Sequence, residues 1–190
     1  MIAVVLAAVL AAAAGHPAAP GPPPHEPLRF EGLAWDASRA EVERVLAARH
    51  YVREAATAED EEPTWRGRAF GRIVHVSPEF TPAGGLLALD VRFEADARGS
   101  ALQRYAELVA AMRRRHGPPT AEVAPGRPVT EERLDRFGRL RRYGDRTAAT
   151  LWTDAPGAGA VVQLGRDDAL WLRYESPRWN ELHPADDAQR

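Results

Sequence analysis

The sequence predicts an α+β fold, an antiparallel sheet with helices packed on one face. Three features predict it. Apolar and polar residues alternate through 64–95 and again through 148–176, as in strands with one wet face. Two amphipathic segments with capping signals lie outside those runs. A chain of 190 residues with 45% hydrophobic content suffices for one sizeable core.

Residues 2–14, IAVVLAAVLAAAA, form an uncharged apolar run that is short for a membrane span and suits a secretory signal, with small residues at Ala12 and Ala14 for cleavage. Residues 1–15 are therefore read as a signal peptide, and the protein is expected in the periplasm or outside the cell, with no stable transmembrane span after processing. Residues 16–27, rich in Pro, Gly and Ala, read as an extended tether in which His16 and His25 are solvated. A single domain is expected over 28–178, followed by a tail over 179–190. The chain contains no cysteine, which excludes disulfides, thiolate metal sites and lipid attachment through cysteine.

Within the domain, Leu28, Phe30 and Gly32 read as a short strand ending in a turn. Ser38 followed three residues later by Glu41 is a capping box, and Val42, Val45 and Leu46 give the ensuing helix an apolar face that ends around His50 and Tyr51. The acidic run at 58–62 reads as a solvated loop. Next comes a hairpin turned by TPAGG at 81–85, with Leu87, Leu89, Val91 and Phe93 on one side and Asp90, Arg92 and Glu94 on the other. On the preceding strand His75, Ser77 and Glu79 share a face. Leu102, Tyr105, Leu108, Val109 and Met112 recur at helical spacing over 100–117, and Gly117 with Pro118 and Pro119 stops that helix. Arg113, Arg114, Arg115 and a protonated His116 would complement its C-terminal dipole. Residues 120–130 read as loop. The segment 131–144 has helical charge spacing broken by Gly138, which leaves helix and strand both open. Strands at 148–153, 159–165 and 169–176, separated by the turn compositions DAPGAG and RDD, complete the chain.

A net charge of −2 and a pI near 6.3 give no global pull towards nucleic acid. The chain has no phosphate-binding glycine loop, no nucleophile elbow and no H-E-x-x-H helix. His75 and Glu79 stand four apart, but Pro78 opposes a helix that would join them. Asp167 and Asp168 sit in a turn without a second acidic cluster. No catalytic, cofactor-binding or metal-ligating residue is assigned on these grounds, and an enzyme is not expected. Among the five Trp residues, Trp152 and Trp171 read as core, while Trp65 and Trp179 are candidates for exposure. The mixture of Arg and aromatic residues on wet strand faces nominates Trp65, Arg68, Arg92 and Tyr174 as a partner-binding face. The alternative is that Arg stems there merely cover apolar surface.

The order of FEGLAWDAS before AEVERVL, a hairpin, YAELVAAMRRRHGPP, and final strands carrying Trp152, VVQL and LRYES resembles small secreted bacterial proteins of the beta-lactamase-inhibitor-like group. It more distantly resembles outer-membrane assembly lipoproteins of the small-protein-A type. Asp36 stands where many such proteins have Gly. The resemblance, over about residues 28–177, implies a curved antiparallel sheet covered on one face by helices and acting by binding a partner. The function expected is thus a secreted or periplasmic non-enzymatic binding domain with a protein or envelope ligand. A small envelope hydrolase and a purely structural envelope protein are the alternatives.

Overall fold

The alternating runs become strands of one sheet. The computed structural model describes residues 25–55, 63–95, 99–123, 146–154, 157–165 and 167–182. In chain order these contain α1 (Arg39–Ala48), β1 (Val52–Arg53), β2 (Trp65–Ala69), β3 (Arg72–Phe80), β4 (Leu86–Phe93), α2 (Ala101–His116), β5 (Ala121–Val123), β6 (Arg146–Thr153), β7 (Gly159–Gly165), β8 (Leu170–Glu175) and the single turn α3 (Trp179–Leu182). The eight strands form one sheet in the order β1-β2-β3-β4-β8-β7-β6-β5, antiparallel throughout. The fold is α+β and dominated by strand. No helix among the described residues is long and apolar enough to cross a membrane. The expected signal peptide, the acidic run and the ambiguous segment 131–144 lie outside the described residues.

The predicted strand at Leu28–Gly32 is not one. Leu28, Phe30 and Leu33 are buried, but Glu31 and Gly32 take φ of +50° and +78°, and this turn removes the segment from any ladder. The chain is held instead against the end of α2, where the Glu26 N–H donates to the Arg115 carbonyl at 3.1 Å. Glu26, within the stretch read as tether, is thus in contact with the end of α2. At the other end, Trp179, in the stretch read as tail, packs with Leu87 and Ala88 at 7% exposure.

The opening stretch is architectural. Ser38 caps α1, its Oγ accepting from the Glu41 N–H at 3.3 Å. Just before it, the Asp36 N–H donates to the Leu86 carbonyl and the Leu86 N–H to Ala37, at 3.1 and 2.9 Å. This pairing ties α1 to the start of β4. It requires a left-handed Asp36, φ +65°, a conformation that Gly and, less readily, Asp tolerate.

Two turns organise the first half of the sheet. Phe70 and Gly71 join β2 to β3 with φ of +52° and +73°, both positive as a two-residue hairpin turn demands. The predicted turn at 81–85 closes through Thr81, whose N–H donates to the Gly85 carbonyl and whose Oγ1 accepts the Gly85 N–H. Just beyond it, Glu79 faces Ala88 while Phe80 faces Leu86, so β4 carries one extra residue. That bulge moves Leu87 out of the set predicted for it. Leu89, Val91 and Phe93 join the main core, and Leu87 goes to Trp179.

The main core unites Val42 and Leu46 of α1, Leu108 and Met112 of α2, and alternate sheet residues such as Val76, Val91, Leu172 and Val162. The sheet residues face one another across the ladders, Val76 opposite Val91, Val91 opposite Leu172 and Leu172 opposite Val162. Two polar groups inside this layer find partners, whereas the buried Trp65 indole N–H has none among the described residues. The Tyr105 hydroxyl meets Thr150 Oγ1 at 2.6 Å, and burial pushes its pKa up to about 12. The Trp152 indole N–H donates to the Gly117 carbonyl at 3.0 Å. Gly117 ends α2 at φ +83°.

His116 is not the solvent-facing cation expected at a helix end. It is buried, its Nδ1–H donating to the Glu26 carbonyl at 2.9 Å and its Nε2 lying 3.5 Å from the Tyr174 hydroxyl. Burial lowers its pKa below the ordinary 6.5, with Arg115 acting the same way and Glu26 opposing. The unfolded chain therefore takes up a proton near pH 6.5 that the folded one refuses, and stability falls as pH drops through that value. Denaturant midpoints measured from pH 7.5 to 5 should decline for the wild type and show a flatter decline for His116→Gln. In the same assay Leu172→Ala, at 0% exposure in a central strand, should cost about 2–5 kcal/mol.

Candidate functional site

The register separates the four residues nominated as a binding face. Trp65 and Tyr174 are buried in the main core, at 6% and 0% exposure, whereas Arg68 and Arg92 are exposed. Trp65 stands opposite Val76, and Tyr174 opposite Leu89 and Ala160, so both belong to the apolar set. Arg92 stands opposite His75 and Trp171 and belongs to the other set. The four residues do not form one surface. What misled the reading is parity within the final strand. In LWLRYE the Tyr at 174 shares its side with Leu170 and Leu172, while Trp171 shares its side with Arg173 and Glu175.

The polar set is continuous across four strands. One row runs Arg66, His75, Arg92, Trp171 from β2 to β8, and the next runs Ser77, Asp90, Arg173. A third contains Glu79, Ala88 and Glu175. His75, Ser77 and Glu79 therefore share a face as the alternation predicted, and they are joined there by β4 and β8 residues.

Within these rows the charges are arranged unequally. Arg173 is surrounded by carboxylates: Asp90 at 2.5 Å, Glu79 at 2.8 Å and Glu175 at 3.3 Å, with its guanidinium 4.2 Å from the Trp179 ring centroid. Its side chain is only 12% exposed and that of Glu175 only 1%. Burial raises the Asp90 pKa, the Arg173 charge resists this, and Glu79 and Glu175 add to it. Further along, His75 Nδ1 lies 2.9 Å from Glu54 and its Nε2 lies 3.8 Å from Glu94, which also receives Arg66 at 3.2 Å.

Arg92 differs. It has no carboxylate partner among the described residues, and its guanidinium lies over the Trp171 ring at 5.9 Å from the centroid. Both residues border a cleft of about 310 Å³ where β4 ends and β8 begins, together with Glu94, Arg104, Asp167 and Asp168. The Asp167 carboxylate accepts the Ala169 N–H at 3.2 Å and so shapes the turn between β7 and β8. No group of three or more His, Asp or Glu side chains suited to a metal occurs among the described residues. Comparison of the chain with protein-family models, with curated proteins and with solved structures gave no match, so the face is read from its own geometry.

Alternation in the final strand could have placed Trp171, Arg173 and Glu175 together. Nothing local could have placed them beside Asp90, because β4 and β8 lie on either side of the whole α2–β7 segment. The Arg173 cluster is expected to behave as a unit. Arg173→Gln leaves Glu175 buried beside two further carboxylates and should cost about 3–5 kcal/mol. Adding Glu175→Gln should recover part of that loss, as read from a double-mutant cycle in urea.

Proposed function

We propose that this is a secreted or periplasmic, non-enzymatic binding protein. In this reading α1 and α2 cover one face of the sheet, and recognition uses the opposite face across β2, β3, β4 and β8. Two facts support the covered side: residues of both helices share a core cluster with one alternating set of strand residues, and Tyr105 and Met112 of α2 touch Thr150 and Tyr174 of that set. The single observation that carries the function is the exposed Arg92 lying over Trp171, 5.9 Å from the ring centroid, within a row of otherwise paired charges. An arginine on an aromatic ring is a recurrent binding anchor, because stacking fixes the plane of the guanidinium and leaves its edge available. The neighbouring ion pairs hold the surface in one arrangement, which limits the ordering cost of binding. A protein or envelope ligand is the partner class proposed.

Immobilised protein exposed to envelope and culture-medium fractions tests this reading. Wild type and Arg114→Glu, a change on the exposed side of α2, should capture the same saturable partner. The pair Arg92→Glu with His75→Ala should reduce capture by at least about tenfold. Undiminished capture by that folded pair would overturn the assignment of this face.

A further inference from the structure

The cleft at the end of the row has a composition that selects a ligand class. Its charged lining consists of Arg92 and Arg104 against Glu94, Asp167 and Asp168. Glu94 is already opposite Arg66 at 3.2 Å, and Asp167 is engaged by the Ala169 N–H. Arg104 donates to the Gly99 carbonyl at 3.2 Å. This leaves Arg92 and Asp168 as the exposed opposite charges with neither a side-chain hydrogen bond nor an ion pair among the described residues. Asp168 is presented at the turn with φ +62°. Trp171 and Leu170 add apolar lining to the cleft.

We propose that this cleft binds a small zwitterion, its carboxylate on Arg92 and its ammonium on Asp168. The proposal rests on the reading of this face as a recognition surface and gives it a ligand class. Three arguments point there. First, an exposed guanidinium beside an indole, with no carboxylate partner among the described residues, offers paired N–H groups that a carboxylate can accept bidentately. Second, a simple dianion such as phosphate would gain from the two arginines but would face three carboxylates in the same cleft, whereas a dipolar ligand meets a charge of the right sign at each end. Third, about 310 Å³ lies at the lower end of the size range of small-molecule sites and suits a ligand of amino-acid size. The free α-amino acids are the simplest compounds with this chemistry. A peptide terminus offers only one of the two charges.

The test is a titration of ¹⁵N-labelled protein with a panel of free L-amino acids, following the indole N–H signal of Trp171, identified by its disappearance in Trp171→Phe. At least one amino acid should shift that signal saturably. Its amide and its N-acetyl derivative should each bind at least about tenfold more weakly, since each lacks one charge. Arg92→Gln should lose the preference for the free acid over the amide. Asp168→Asn, which keeps a residue tolerant of the left-handed turn, should lose the preference for the free amine. Arg68→Gln, exposed on the same sheet but away from the cleft, should bind as wild type does. Absence of any saturable shift, or equal binding of the blocked derivatives, overturns the proposal. If that happens while Arg92→Glu with His75→Ala still abolishes partner capture, the zwitterion site alone is lost. If capture too is indifferent to the pair, the reading of the face falls with it.

Discussion

The sheet is a single sheet because of where β8 goes. The first four strands form a meander, and β5, β6 and β7 form a second ladder; among the described residues the strand that pairs with both is β8, with β4 on one side and β7 on the other. Leu172 makes this physical, standing opposite Val91 and Val162 at 0% exposure. Two features depend on this strand: the core cluster that joins strand residues of both halves, and the polar row on which Arg92 and Trp171 meet. Pairings so distant in sequence are entropically costly to close.

Tyr174 extends the same constraint out of the sheet. Its ring packs against Phe30 and His116, at centroid distances of 6.0 and 6.2 Å, and its hydroxyl lies 3.5 Å from both Met112 Sδ and His116 Nε2. One side chain of the central strand thus joins the N-terminal segment and the end of α2. Complete burial of this tyrosine raises its pKa well above the ordinary phenol value. A group so placed belongs to the interior, which is why an aromatic residue that looked suited to recognition serves the core. The outer edges are handled differently. β1 has two residues and β5 three, and short edge strands offer little template for pairing with another chain.

On the polar face, two arginines on adjacent rows are held very differently. Arg173 has three carboxylates and an aromatic ring around it and is nearly enclosed, so its cost of desolvation is offset by partners that a ligand could not easily displace. Arg92 keeps the aromatic contact and remains exposed at the rim of a cleft. The difference comes from the row each occupies. Asp90 and its neighbours Glu79 and Glu175 fall around position 173, whereas His75 next to Arg92 is already engaged by Glu54 and Glu94.

Local sequence determined the elements wherever a short-range rule governs them. Ser38 and Ser100 cap their helices, Gly117 ends α2, Thr81 to Gly85 turns a hairpin, and two-residue alternation puts His75, Ser77 and Glu79 on one side, because each of these is decided by residues within a few positions of one another. Tertiary structure decided the rest. It converted the N-terminal strand into a docked turn, because positive φ at Glu31 and Gly32 breaks a ladder and the end of α2 offers partners instead. It made His116 an interior group by laying Glu26 and Tyr174 over it. It also separated Trp65 and Tyr174 from Arg92, since the side of a sheet that a residue occupies depends on parity within its strand, while the identity of its neighbours depends on a pairing register set by strands distant in the chain.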